Sequence, residues 1–404
     1  MKKYFNSFVL ICILLVGYIP YLNSIDKLAP QWFLLGVFSS VYLLIFSLIK
    51  GENLFKNFKN PITFGFLITL FFILISILYS VNKIESTIVL SRWITLGLVF
   101  FTFQSILSHK IKTENIYLII ASLSFFEIII PFIEYQRIIS VHEFTFADAN
   151  YLKTFTGNKN ITAASISLKL PFLIFCIRYF KKIILKIITT IFLIIGLYDL
   201  VLISSRAALL GVIIISISII IYIIITRKDK YLLIYPCCFI FVLLISKFTI
   251  PQSKVLIQDR ISTINNQDQS TNERVRFYKH GLNAFLNSPL IGTGIGTWKT
   301  ESIRYDKENI QSYVVPYHMH NDFLQLAVEI GLFGLISYLS LFFFSIKILF
   351  KKFFDNKKII FPLLLSLIIY GIDANFNFPM ARPIMQVQLV LLLSLVLKIQ
   401  NEKI

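Results

Sequence analysis

Two histidines stand two residues apart in Pro316-Tyr317-His318-Met319-His320-Asn321-Asp322. An imidazole changes charge near neutral pH, so a histidine beside a substrate hydroxyl can serve as a general base. Below the pair, Asn321, Gln325 and Glu329 recur every four residues. That spacing places them on one face of a helix as a polar stripe about two turns long. A lone histidine reads as structural; two above a carboxylate-bearing stripe read as chemistry, with His320 at the mouth of the stripe able to take a proton and His318 beside it. The chain has no HExxH, and its carboxylates lack metal-ligand spacing, so no metal is expected.

The cations that would partner such a base lie upstream. Asn272-Glu273-Arg274-Val275-Arg276 opens a stretch in which Val275, Tyr278, Leu282, Phe285 and Leu286 recur at helical spacing. Arg276, Lys279, His280 and Asn283 fall on another face, which predicts an amphipathic helix over 272–287 lying on a membrane surface. Arg274 and Arg276 suit a diphosphate, which needs more than one cation where no metal assists. Pro289-Leu290-Ile291-Gly292-Thr293-Gly294-Ile295-Gly296 reads as a turn; it does not fit GxGxxG, and no Rossmann unit surrounds it. Arg206 follows Ser204-Ser205, where a serine can cap the incoming helix and the helix N-terminus adds positive potential, a second place for a phosphate. The plain alternative there is an interfacial arginine reaching for headgroups. In Thr156-Gly157-Asn158-Lys159-Asn160, Gly157 suits a turn and Asn160 a helix cap.

These residues must be carried by membrane helices. Of 404 residues, 56% are apolar and 15% charged, too little polar surface for soluble domains of this length. Windows of ~19 residues place spans near 5–22, 31–49, 61–80, 87–107, 115–134, 161–179, 183–203, 207–225, 231–250, 322–347, 359–373 and 384–398. Ser204-Ser205-Arg206 is the break within a run otherwise too long for one span. The net charge of +18 is spread in short clusters between spans, which argues against nucleic acid. Lysines and arginines concentrate around 50–59, 110–112, 178–186, 227–230 and 347–358 and at both ends. The intervening connections hold few, so both termini are expected in the cytoplasm and residues 135–160, 251–321 and 374–383 outside. The expected domains are spans one to nine (1–250), the long loop with the active-site elements (251–321) and spans ten to twelve (322–404). Cys12, Cys176, Cys237 and Cys238 fall inside apolar runs and read as buried packing residues. The apolar N-terminal stretch lacks a small-x-small cleavage site and reads as a retained helix.

The ordered set over roughly 155–345 resembles the O-antigen ligase and polymerase superfamily of bacterial membrane glycosyltransferases. The set runs from Gly157-Asn158-Lys159-Asn160 through Ser205-Arg206 and Arg274 with Pro289–Gly296. It ends in His320-Asn321-Asp322-Phe323-Leu324-Gln325 with Glu329-Ile330-Gly331-Leu332-Phe333-Gly334. The resemblance implies an all-α, GT-C-like polytopic fold of about twelve transmembrane helices with one long extracytoplasmic loop. It implies a glycan donor on undecaprenyl diphosphate, transferred on the outer face of the bacterial inner membrane without metal or cofactor. Carried over by position, Arg206 and Arg274 would hold the diphosphate, and His320 would take the proton of the acceptor hydroxyl. Arg276 and His318 have no counterpart in that pattern.

Displacing a diphosphate from an anomeric carbon builds charge on the leaving group, which fixed cations stabilise, and a base on the opposite face implies inversion. The ligase reaction, with lipid A core as acceptor, is favoured by the motif spacing; the alternative in the same superfamily is a polymerase adding to another lipid-linked glycan. A secondary transporter of twelve helices is the reading from another class, but its related halves and midplane sites are not evident here.

Overall fold

The computed structural model describes residues 2–20, 22–50, 60–108, 111–227, 229–250, 269–307 and 315–402. The first part of the expected outer loop, 251–268, and residues 308–314 lie outside the described residues. Elsewhere the chain is helical, without strands among the described residues. In order the helices are α1 (Lys2–Val16), α2 (Ala29–Lys50), α3 (Pro61–Tyr79), α4 (Lys83–Leu107), α5 (Thr113–Ile139), α6 (Lys159–Tyr179) and α7 (Ile183–Ile203). They continue as α8 (Arg206–Thr226), α9 (Ile234–Thr249), α10 (Gln269–Asn287), α11 (Trp298–Asp306), α12 (Asp322–Lys352), α13 (Lys357–Phe376) and α14 (Pro383–Asn401).

Among the described residues, 11 helices are long and apolar enough to span a membrane, and a shorter apolar helix, Phe5–Val16, precedes them. The protein is therefore an all-helical polytopic membrane protein. The expected first span over 5–22 is cut short because the helix stops at Gly17, where a Cβ would overlap Ile384 of α14. The long apolar run divides as expected: Ser204 ends α7 in the left-handed region (φ 55) and α8 begins at Arg206. Ser205 occupies the capping position without a side-chain cap bond, so the predicted serine cap is not made.

The helices form two compact units. The first comprises α1 to α4, α10 to α12, α14 and the last residues of α13. Its α12 packs along α3, where Gly65 leaves room for Ser340 and Thr69 Oγ1 lies 3.0 Å from Ser337 Oγ. The small residues let the two backbones approach, the usual device where lipid removes the hydrophobic drive between helices. The second unit comprises α5 to α9 and most of α13, with α6 almost wholly buried in its middle.

Candidate functional site

The site-bearing part of the first unit is organised by a break in α12. Gly331 is non-helical (φ 71, ψ −175) and interrupts the helical ladder, which frees carbonyls above and an amide below. The glycine-containing turn fills the gap: Thr293 N donates to Val328 O at 2.9 Å and Gly294 N to Glu329 O at 2.9 Å, while Leu332 N donates to Pro289 O at 2.8 Å. Gly292 and Gly331 are both required by the close approach, since a Cβ on either would overlap the other segment's backbone. The run that reads as a turn is one, and its function is to mend a helix.

The upper piece of α12 carries the expected polar stripe. Asn321 caps it, its side chain accepting from Leu324 N at 2.9 Å. Gln325 accepts from Met319 N at 3.3 Å and donates to Glu329 Oε1 at 3.2 Å. Glu329 Oε1 also accepts from Trp298 N at 3.1 Å, so a buried carboxylate from α12 meets the N-terminus of α11. The stripe thereby ties the Met319 backbone, between the two histidines, to α11. The sequence offered no clear sign of α11; its residues, Trp298-Lys299-Thr300-Glu301-Ser302-Ile303-Arg304-Tyr305-Asp306, are short and mostly polar.

His320 adopts a left-handed backbone (φ 59), which a non-glycine residue enters at some cost. The Tyr278 hydroxyl of α10 lies 2.9 Å from His320 O and 3.0 Å from Asn375 O, and donates its one proton between them. Burial pushes the Tyr278 phenol up, which keeps it a donor. Phe378 separates the two imidazoles: His318 stacks on it at 4.3 Å, and His320 meets it edge-on at 5.0 Å. Burial, and then the Arg274 guanidinium, lower the His320 imidazole to about 4. Burial first, and then Arg382, His320, Arg92 and Lys299, lower His318 to about 3. Both rings are therefore neutral near pH 7.

On α10 the two candidate arginines part. Arg274 acts electrostatically on His320 and Tyr278. Arg276 turns to α11, with Nε 2.9 Å from Asp306 Oδ1, and His280 Nδ1 lies 3.5 Å from the same oxygen. The structure thus gives Arg276 a buried carboxylate partner and a tie between two helices. The apolar face of α10 is in part covered by protein: Ala284 joins Trp298, Met319 and Val328 in a small core that Phe277, Tyr278 and Phe285 extend. Val275, Leu282 and Leu286 stay exposed.

His318, Asp322, Gln325 and Glu329 line a cavity of about 600 Å³ within the first unit. Its other walls come from α4, α11, the turn before α2 and the start of α14.

In the second unit, Arg206 is the first residue of α8. The helix cap expected at Asn160 is made two residues earlier: Asn158 Oδ1 accepts from Asn160 N at 2.9 Å and from Ile161 N at 3.3 Å, and Asn160 is already helical. Gly157 takes the turn conformation expected of it (φ 69). A pair that sequence reasoning passed over lies between α5 and α6. Lys169 Nζ donates to Glu127 Oε1 at 2.7 Å, to Glu127 Oε2 at 2.8 Å and to Ser165 Oγ at 2.6 Å, all buried. The visible signal was a charge inside each of two apolar runs.

No match to the chain was found among curated proteins. Residues 191–339 match the family model described as O-antigen ligase, a segment that contains Arg206, Arg274, the mended helix and His320-Asn321 with Gln325 and Glu329. Over that segment, the chain is similar to the O-antigen ligase family.

Proposed function

We propose that the protein is an O-antigen ligase-like glycosyltransferase that moves a glycan from undecaprenyl diphosphate to an acceptor hydroxyl on lipid A core. The reaction takes place on the outer face of the bacterial cytoplasmic membrane, with both chain termini on the inner side. The observation that carries the reading is the hydrogen bond by which Tyr278, one turn from Arg274 on α10, donates to the His320 carbonyl inside the family-matched segment.

The chemistry follows from these groups. The acceptor hydroxyl gives its proton to His320 as its oxygen bonds the anomeric carbon. The bond from that carbon to the diphosphate oxygen breaks with its electrons on the diphosphate. Arg274 meets the developing charge. Attack from the side opposite the leaving group inverts the anomeric centre. Arg206, at the N-terminus of α8, is assigned to the lipid diphosphate on its own local grounds, a guanidinium at the positive end of a helix. Asn321, Gln325 and Glu329 position the histidine backbone through the bonds described above. Asn160 is a residue of the α6 start with no direct role in this scheme.

The test is reconstitution with a lipid-linked glycan and either lipid A core or a second lipid-linked glycan as acceptor. His320→Ala should lower transfer about 10²–10⁴-fold, the usual contribution of a positioned base. Arg274→Ala should also lower it, with both proteins folded as the wild type. Full transfer by both variants would end the assignment, and transfer only to a second lipid-linked glycan would make the enzyme a polymerase.

A further inference from the structure

The cavity beside His318 has a chemistry of its own. Two ion pairs stand in its wall: Arg92 Nη2 with Asp26 Oδ2 at 2.7 Å, and Lys299 with Glu85. Both pairs are partly open, with side chains between about one quarter and one half exposed. Trp32, Trp93 and Trp298 are buried behind the lining, and Tyr317, 65% exposed, stands at the rim with Lys299 Nζ 5.4 Å above its ring. Beyond the two pairs, the lining holds Lys27 and Arg382 with Asp322 and the buried Glu329.

A wall with two paired acids and bases offers fixed acceptors and donors side by side. It suits vicinal hydroxyls far better than a diphosphate. The open Tyr317 ring suits the C–H face of a sugar ring, and the volume lies within the range of small-molecule sites. Asp26, Glu85 and Arg92 also lie outside the segment that matches the family, so this part of the wall belongs to the chain's own N-terminal third.

We propose that this cavity is the sugar-binding subsite of the acceptor, that it takes an uncharged pyranose, and that the turn Ile25–Leu28 and α4 select which one. The inference rests on the glycosyltransferase reading for the word acceptor, but its binding chemistry can be tested apart from transfer.

The experiment is saturation-transfer NMR on the full chain in lipid nanodiscs. The probes are methyl α-glucopyranoside, methyl α-galactopyranoside and methyl β-glucuronide, with sodium pyrophosphate as competitor. The wild type should bind at least one of the two uncharged glycosides more tightly than the glucuronide, and pyrophosphate should not displace it. Glu85→Gln and Tyr317→Ala should weaken that binding at least tenfold, while Arg274→Ala leaves it within twofold. Arg92→Lys should keep more binding than Arg92→Gln. Tyr317 is exposed, so its variant reports on binding even where a change at an ion pair harms folding. Binding of neither uncharged glycoside, preference for the glucuronide, displacement by pyrophosphate, or indifference to Tyr317→Ala would overturn the proposal. Loss of transfer in His320→Ala together with absent glycoside binding would sink the subsite and spare the reaction. Glycoside binding with unimpaired transfer by His320→Ala would do the reverse.

Discussion

Lys169 with Glu127, in the second unit, and Gln325 with Glu329, in the first, are both buried polar inclusions among apolar helices, built in opposite ways. The Lys169 ammonium meets both Glu127 oxygens and a serine hydroxyl on its own helix. Donors and acceptors cancel locally, and neither residue lines the cavity described above. Gln325 and Glu329 instead link backbone amides of separate segments and border that cavity. Polar groups inside a membrane protein are costly and kept for a purpose. The sealed pair serves to lock α5 to α6, and the open chain serves to tie separate segments together beside the cavity.

The largest effect expected is at the break on the open side. Gly331→Ala introduces a Cβ that overlaps Leu290 O at a positive φ. The conformational strain alone is about 1–3 kcal/mol, and the overlap adds to it, so folded yield and melting temperature in detergent should both fall sharply. Native stability in this variant would show that the turn does not mend the helix. Next comes the sealed pair. Glu127→Gln should destabilise by about 3–5 kcal/mol by stranding a buried ammonium, and Glu127→Gln with Lys169→Met should recover most of it. If the double variant is as unstable as the single, or is stable but inactive, the pair is more than a cross-link and the contrast fails.

A smaller effect is expected in the pH profile. His320 accepts a proton only while neutral, so kcat/KM should stay level toward acid and fall as pH drops through about 4. Arg274→Gln removes one of the two causes of the lowered value. The acid limb of its residual activity should therefore move up toward the ordinary imidazole range, and an unmoved limb would separate Arg274 from His320. Smallest is Tyr278→Phe. Loss of one hydrogen bond to the His320 carbonyl, about 0.5–1.5 kcal/mol, should lower kcat about 2–10-fold with stability nearly unchanged. A change in KM alone would argue against a positioning role.

The spanning helices were legible because hydropathy over some twenty residues is a strong local signal. Their ends were read to within a few residues, as with Asn158 in place of Asn160, because neighbouring asparagines compete for one cap. The break at Gly331 was invisible. It depends on hydrogen bonds from Pro289–Gly294, far away in sequence, and the surrounding residues read as continuous helix. The site residues stood out by type and spacing, since histidines above a stripe at every fourth position are rare by chance. The division between Arg274 and Arg276 was readable in principle. Positions two apart lie about 200° apart around a helix, so only one can face a given ligand. The pairing of Lys169 with Glu127 was not readable, because periodicity does not say which helix lies beside which.

The bonds between Leu332 and Pro289 and between Gly294 and Glu329 close the chain on itself. The glycine turn and α11 on one side and the histidine segment on the other belong to an excursion whose two feet are pinned together. Length can then change at its tip without dragging on the transmembrane scaffold, since the strain of an insertion ends at the feet. Such a cassette is free to diverge, or to be transplanted whole between related chains, while the helix beneath it stays in register.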